Sequence, residues 1–358
     1  MSDARPSSTD LPIALDAMGG ERMPDAAVDG ALEAVAAGRY VVLVGDRERL
    51  EGALRARNAS LPIEHAGDVI AMDDHAGDVR RRKDASVVVA TRLVKEGRAA
   101  AVVSMGHSGA TMAAALLVLG RLPGVERPAI VANIPTVDGF CALIDAGANA
   151  DCRPGWLQQF AVMGSVYARA FLERPDPSVG LMSIGEEEGK GNELAIAVHA
   201  LLKQTPGVRF HGNVEGRDLL AGTTDVVVTD GFTGNVMLKL AEGEAKVIFE
   251  LVRGALRSSW RAKLGGLLAK PALRQIAERL DPGTYGAQPL LGVNGYAFIG
   301  HGSADARAVR NAVHTASRLV AARVNDHIAE GVAAVAAAQG AAGEAAGSRS
   351  AQGADGAA

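Results

Sequence analysis

The chain has 358 residues, 48% of them hydrophobic and 22% charged, with a formal net charge of −4. That length and apolar content allow a large core and suit an enzyme of one complex domain or two lobes. Aromatic residues at 4% and a mildly acidic balance argue against nucleic-acid binding, which needs a basic face and stacking rings.

Residues 1–10 are polar, lack the apolar stretch of a signal peptide and read as a disordered lead. From there one pattern recurs: a short apolar strand, a glycine-rich loop, then a helix. Ile13–Leu15 reads as a strand that runs into Asp16-Ala17-Met18-Gly19-Gly20, with a helix from about Pro24. Tyr40–Val44 leads to Gly45-Asp46 in the same way. Ala100–Val103 leads to Ser104-Met105-Gly106-His107-Ser108-Gly109 and the apolar run Ala110–Leu119. The uncharged stretch Ala99–Gly120 has the length of a membrane span. Its serines, histidine and glycines fall at the middle, however, and favour a buried strand, loop and helix.

Val179–Ile184 leads to the loop Gly185–Asn192, after which Leu194, Val198, Leu201 and Leu202 fall at helical spacing. The most informative stretch is Asp225–Lys239. Its β-branched run Val226–Thr229 stops at Asp230, two glycines bracket Phe232-Thr233, and Asn235 opens a helical pattern. Asn192 and Asn235 are both good N-cap types. A strand, a tight turn and a helix start in that order gather free backbone N–H groups that can hold an anion. The repeated units predict a three-layer α/β/α fold with a large mixed, mostly parallel sheet. Ligands of such sheets sit outside the carboxyl ends of the strands, where the glycine loops are all expected to converge.

Arg253–Arg279 carries seven basic residues against the single acid Glu278. Trp260, Leu264, Leu267 and Leu268 lie among them at near-helical spacing, and Gly265-Gly266 and Pro271 are expected to break any long helix. The stretch reads either as an interfacial segment for an anionic bilayer or as a helix packed on its own sheet or dimer mate. Pro282–Ser303 reads as two short strands, Leu290–Val293 and Tyr296–Ile299, around the hairpin signal Asn294-Gly295. Ala304–Ala329 returns to helical spacing. We expect one intertwined catalytic unit over residues 11–335 and a disordered, Ala/Gly-rich tail over residues 336–358.

Lys190 sits in a loop with Glu186, Glu187 and Glu188, beside a helix start. It suits a phosphate or a developing oxyanion, the plainer alternative being a solvated charged turn. Arg217 either reaches an anion or pairs with an acid of its own loop. His301 is either a general acid or a satisfied loop histidine. A nucleophile elbow at Ser108 fails, because Ala110 stands where G-x-S-x-G needs its second glycine. No Walker pattern, G-x-G-x-x-G fingerprint or His/Cys metal spacing is present. Cys141 and Cys152 read as reduced thiols.

Several long signatures occur in order from about Ile13 to Val324. They are Leu15–Gly20, Gly124–Ala129, Asp145–Asn149, Phe160–Gly164, Ile184–Glu193, Gly212–Asp218, Thr229–Asn235 and Tyr285–Arg307. In these the sequence closely resembles the bacterial PlsX-type phosphate acyltransferase family. It departs from that pattern at His107-Ser108, where the family usually has Asn-Thr, and at Ala85-Ser86, where it has Ser-Ser.

The resemblance implies an isopropylmalate-dehydrogenase-like fold and a homodimer. It implies formation of acyl phosphate from inorganic phosphate and long-chain acyl groups on acyl carrier protein, feeding phospholipid synthesis without a metal or other cofactor. A cytoplasmic protein peripherally associated with the membrane follows, because the product is lipid-soluble and its next acceptor enzyme would be membrane-embedded. Lys190 and Asn235 are then the expected catalytic pair, with His301 assisting the leaving thiol. Asp16, Gly19, Gly20, Gly191, Asn192, Asn213, Arg217, Asp230, Gly231, Thr233 and Gly234 are expected around substrate or phosphate, and Trp260, Leu264, Leu267 and Leu268 at the membrane. The competing readings are a phosphate acetyl- or butyryltransferase that uses acyl-CoA, and a catalytically silent carrier-protein or membrane adaptor of the same fold.

Overall fold

The computed structural model describes residues 11–354, so the expected lead and residues 355–358 lie outside the described residues. In chain order the first half contains β1 (Ile13–Asp16), α1 (Asp25–Ala36), β2 (Val41–Gly45), α2 (Arg47–Arg55), β3 (Ile63–His65), α3 (Ser86–Lys95), β4 (Ala101–Ser104) and α4 (Ser108–Ala114). There follow β5 (Ala129–Thr136), β6 (Gly139–Ile144), α5 (Pro154–Phe171), β7 (Ser178–Met182), α6 (Glu193–Leu202), β8 (Arg209–Val214), α7 (Gly216–Ala221) and β9 (Val226–Val228). Two long helices, α8 (Gly231–Arg257) and α9 (Trp260–Leu280), precede β10 (Ala287–Leu291), β11 (Ala297–Gly300), α10 (Ala306–Ala321) and α11 (Val324–Ala354).

The 11 strands form one sheet in the order β3-β2-β1-β4-β11-β10-β5-β6-β9-β7-β8. Strands β3, β2, β1, β4 and β11 are mutually parallel, as are β6, β9, β7 and β8. Between the two blocks, β10 is antiparallel to both β11 and β5, and β5 is antiparallel to β6. Three reversals leave the second block running against the first. The mixed, mostly parallel sheet expected from the sequence is therefore present, but its two blocks end at opposite edges. The glycine loops accordingly form two groups rather than one.

Alternation along the strands gives each face its core. Leu15, Leu43, Val103, Val131 and Ile144 point into the layer that contains Phe160, Tyr167, Val309 and Leu319 of α5 and α10. Ala14, Val44, Val102, Ala132 and Leu143 face the other layer, with Val89 and Leu93 of α3, Leu219 of α7 and Leu238 of α8. The three layers follow from this period-two burial.

Three segments differ from the sequence expectation. The hairpin forms, but as Ala287–Leu291 against Ala297–Gly300, with a longer connection than Asn294-Gly295 alone. Helix α9 runs unbroken through Gly265-Gly266 and Pro271. Gly266 faces Leu256 of α8, where a Cβ would make an ordinary 3.4 Å contact, so the glycine pair neither ends α9 nor is required by its packing there. Helix α11 continues to Ala354, through most of the stretch read from the sequence as an Ala/Gly-rich tail, whose residues 355–358 lie outside the described residues. Its alanines favour helix by propensity: residues 336–341 are exposed, with Gln339 donating to Gln158 at 2.9 Å.

One buried carboxylate ties the second block's edge together. Asp145 follows β6 directly and is fully buried. Its Oδ1 accepts from the N–H groups of Ile130, Gly147 and Ala148 at 3.0, 3.1 and 2.9 Å. Its Oδ2 accepts from Asn149 N–H at 2.7 Å and Asn149 Nδ2 at 2.9 Å. The ring is then carried to α8, because Gly231 N–H donates to Asn149 O at 2.7 Å. A Cβ on Gly234 would collide with the Asp145 carbonyl oxygen, so the first turn of α8 rests directly on this loop.

Burial pushes the Asp145 carboxyl upward, while the N–H groups of Ala148, Asn149, Ile130 and Gly147 pull it back. In Asp145→Asn one acceptor becomes a donor that faces further donors. We expect a loss of about 3 kcal/mol in urea unfolding, the scale for buried donors left unsatisfied. An unchanged midpoint would show that the ring is dispensable.

Candidate functional site

The loops after β6, β9, β7 and β8 lie side by side, because those strands are neighbours in the sheet and run in one direction. Helix α8 begins earlier than its sequence suggests. Asp230 is the N-cap, accepting from Thr233 N–H at 2.8 Å on one oxygen and from the Thr233 hydroxyl at 2.8 Å on the other. Gly231 and Gly234 are helical residues there for close approach, not for a turn. Asn235 therefore does not cap the helix, despite its position after two glycines. It stands exposed in the first turns, with its side chain 3.5 Å from where a Cβ on Gly147 would be. The N–H of Phe232 has no hydrogen-bond partner among the described residues.

Helix α6 follows the expected cap. Asn192 Oδ1 accepts from Ala195 N–H at 2.9 Å, and Gly191 takes φ +114°, where a Cβ would meet Ala195 at 2.7 Å. The preceding turn is closed by Lys190 N–H donating to Glu187 O and by the Ser183 hydroxyl donating to Lys190 O, both at 3.0 Å. The Lys190 side chain is exposed. Lys203 is engaged by Glu188 at 2.6 Å, and Arg217 by Glu215 at 2.8 Å and Glu186 at 3.3 Å. No ion pair among the described residues engages the Lys190 ammonium. Arg217 thus takes the intra-loop pairing that was the alternative to anion contact.

Asn213 is buried beneath this loop, not at its surface. Its Oδ1 lies 2.9 Å from Nδ1 of the buried His199, and its amide donates to Glu187 O at 2.8 Å. It supports the Lys190 turn from below, with its amide already engaged.

Asp16, Gly19, Gly20 and His301 belong to the first block and the opposite edge. Buried Asp16 accepts from the N–H groups of Met18 and Gly19, both at 3.2 Å, and from the Ser104 hydroxyl at 2.7 Å. A Cβ on Gly19 would lie 2.9 Å from Gly106, so these loops pack backbone to backbone. Glu21 N–H donates to Gly302 O at 2.8 Å, and His301 Nδ1 lies 2.8 Å from the Ser303 hydroxyl. His301, expected to assist the leaving thiol, ends at the opposite edge from Lys190 and Asn235, because the antiparallel blocks send the two loop sets apart. His107, one of the two departures from the expected pattern, caps α4, its Nδ1 accepting from Ala110 N–H at 3.2 Å. The Ser86 hydroxyl, in the other departing pair, is buried without a partner.

The residues that sequence reasoning gave no role are Asp145, Asn149 and His199. The signal for the first was present. Asp16, Asp145 and Asp230 each close a buried strand and each accept N–H groups two to four residues on, the local pairing that aspartate favours. Two apolar side chains flank the polar loops: Ile184 at 80% and Phe232 at 66% exposure. Cys152 adjoins them with its thiol pushed up to about 12 by burial, and the buried Cys141 is raised further. Both are therefore protonated at neutral pH and poor nucleophiles.

The family model described as fatty acid synthesis protein matches residues 11–327. A phosphate acyltransferase of Thermus thermophilus is 58% identical over 310 residues, covering 87% of this chain and 95% of its own. One of Elusimicrobium minutum is 53% identical over 328 residues, covering 89% and 96%. Among solved structures, the phosphotransacetylase EutD of Staphylococcus aureus aligns with a TM-score of 0.53 at 16% identity, over 88% of this chain and 95% of that one. A 4-hydroxythreonine-4-phosphate dehydrogenase of Klebsiella pneumoniae aligns at 0.50 and 15% identity, over 89% and 99%. These two show the shared three-layer fold alone. A family match over nearly all the described core, with relatives above half identity, has one meaning: the chain belongs to the fatty acid synthesis protein family of PlsX-type phosphate acyltransferases.

Proposed function

We propose that the enzyme forms acyl phosphate from inorganic phosphate and a long-chain acyl thioester of acyl carrier protein, at the edge where β6, β9 and β7 end. The observation that carries this is the unpaired Lys190 ammonium. It lies just before the start of α6, and β7, which leads to it, is the sheet neighbour of β9, which leads to α8 and its unpartnered Phe232 N–H. A phosphate needs such a cradle of cation and backbone donors. Ile184 and Phe232 give an acyl chain an apolar surface next to that cradle.

Phosphate is itself the nucleophile, which fits the protonated thiols of Cys141 and Cys152. One phosphate oxygen attacks the thioester carbonyl carbon, and the carbonyl π pair moves to oxygen. Collapse of the tetrahedral oxyanion breaks the C–S bond, and the thiolate leaves to be protonated from solvent. Lys190 neutralises phosphate charge in the complex. The Asn235 amide, held over Gly147 by the Asp145 ring, donates to the oxyanion as it develops. Asn192, Gly191, Asp230, Gly231, Thr233 and Gly234 shape the cradle through backbone and caps, and Asn213 holds it from beneath. His301 takes no part at this edge.

A homodimer at the membrane surface extends the same proposal. Helices α8 and α9 stand out from the core: α8 buries only Gly231, Gly234 and Leu238, and α9 buries nothing. Val236, Leu240, Val247 and Leu251 form an exposed stripe along α8 that a second copy would cover. At the far turn, Trp260 at 70% and Leu268 at 77% exposure stand with Leu264 and Leu267 among Arg257, Arg261 and Lys263. That composition suits the interface of an anionic bilayer. No helix of the described residues is long and apolar enough to cross a membrane.

The chemistry is tested by following acyl phosphate directly with acyl carrier protein and CoA donors, with and without phosphate. Phosphate-dependent product with the carrier donor is expected, and preference for acyl-CoA would favour the acyltransferase reading built on small thioesters. Lys190→Ala and Asn235→Ala should each fold normally and lose about a hundredfold in turnover, the typical effect of removing one preorganised donor. Near-normal turnover in either would remove that residue from the site.

Leu240→Glu with Val247→Glu should shift the sedimentation coefficient to that of a single chain. A retained dimer would move the interface elsewhere. The protein should sediment with anionic vesicles at low ionic strength and be released by salt, as each basic residue near the surface adds about 1 kcal/mol. Leu267→Glu with Leu268→Glu should abolish that binding, and undiminished binding would exclude the α8–α9 turn as the anchor.

A further inference from the structure

We infer that Arg121, Arg127 and Arg153, gathered around Trp156, form the docking surface for the acidic protein that delivers the acyl thioester. This rests on the proposal that the donor is a carrier-protein thioester. The Arg127 guanidinium lies 4.8 Å and that of Arg153 5.7 Å from the Trp156 ring centroid. The indole N–H donates to Glu126 Oε2 at 2.8 Å, and the Arg121 guanidinium donates to the Glu126 carbonyl oxygen. One tryptophan thus organises an exposed cationic rim. None of the three arginines has an ion pair among the described residues. They outnumber the two acids beside them, Glu126 and Asp151, and the Glu126 carboxylate is already held by the indole.

Stacking on an aromatic face leaves a guanidinium its full charge and its edge N–H donors. Such donors match carboxylates on a partner's surface, bidentately where geometry permits. In a chain of net charge −4, a concentrated basic rim steers an acidic partner to one place.

That place is the working edge. Strand β5 runs against β6, so the residues before it lie where β6 ends. Pro128 O accepts from Asn149 Nδ2 at 2.8 Å, and Asn149 O accepts from Gly231 N–H at 2.7 Å. Two hydrogen bonds therefore join the rim to the first turn of α8, which carries Asn235. Arg153 is the residue before α5, at the end of the Asp145–Asn149 loop. A carrier docked on the rim has its thioester arm beside the anion cradle.

An anionic bilayer is the other source of negative charge, and the fold separates the two. Helix α8 has 27 residues and spans about 40 Å, so its far turn stands well away from the rim. A membrane bound at the turn leaves the rim open to a soluble partner.

The test compares the full-length enzyme with Arg127→Glu/Arg153→Glu on two donors of one chain length: the acyl carrier protein thioester and the uncharged acyl-pantetheine. The charge reversal should raise KM for the carrier donor about tenfold or more, with kcat within about twofold, as expected for rim charges that govern encounter. Acyl-pantetheine kinetics should be unchanged, and the salt sensitivity of carrier-donor kcat/KM should flatten. Should the double variant fold poorly, Arg153→Ala is read by the same ratio of donors, since its side chain makes no cap. An unchanged carrier KM, or equal losses on both donors, overturns the surface. Loss of vesicle binding in place of carrier affinity also overturns it, by making it a lipid site. A wild-type enzyme that uses pantetheine but never the carrier would overturn the donor assignment and this surface together. Failure with both donors would overturn the reaction itself.

Discussion

The edge where β6, β9 and β7 end hangs on the buried Asp145 carboxylate. Five donors converge on two oxygens. A carboxylate removed from water is costly unless its acceptor sites are filled, and here the donors come from two separate stretches of chain, Ile130 and Gly147–Asn149. Satisfying one charge therefore fixes the start of β5, the turn after β6 and, through Asn149, the first residue of α8. Asp16 does the same with fewer donors at the opposite edge, where it joins β1 to β4 through Ser104. The fold uses buried aspartates as knots at strand ends, and the glycines around them follow from the closeness of approach that each knot demands.

Much of this was legible in the chain because it is local. β-Branched runs, strand-closing aspartates, glycine loops and the Asn192 cap occupy a few consecutive residues, and each appeared where its chemistry put it. The start of α8 was not legible. Gly231-Phe232-Thr233-Gly234 looks like a turn until Asp145 and Asn149 are known to press against it, and they lie more than eighty residues away in the chain. Reversal of the second block has the same origin. It depends on β10 and β5 pairing across a long separation, which no window of sequence encodes. That reversal is why His301 and the LDAMGG loop, though rich in suggestive residues, share no edge with Lys190.

Cysteine and histidine commonly serve acyl transfer as nucleophile and base, whereas the proposed site relies on neither. With a nucleophile that arrives already charged, the protein's task reduces to holding an anion against a thioester and stabilising the oxyanion. A lysine is a suitable cation for the first part. Its compact ammonium meets the phosphate as a point charge, and Glu188 and Glu186 of its loop are engaged by Lys203 and Arg217. Those ion pairs matter less for their own exposed energies, which are small, than for turning two of the loop's three acids away from Lys190.

The α8–α9 arm has no comparable internal justification. A soluble chain rarely leaves a stripe such as Val236, Leu240, Val247 and Leu251 uncovered along a 27-residue helix. Its base is fixed at Asp145, and its return is held by Arg279, which donates to the carbonyl oxygens of Thr136 and Val137 at 2.8 and 2.7 Å. The arm is therefore tied to the core at both ends, while a stripe of α8 and the apolar side chains among the basic residues of the tip stay exposed. Anchoring at Asp145 also joins the arm, through the length of α8, to the first turns that carry Asn235. In the proposed reading, assembly at the arm and chemistry at its base would therefore share one helix.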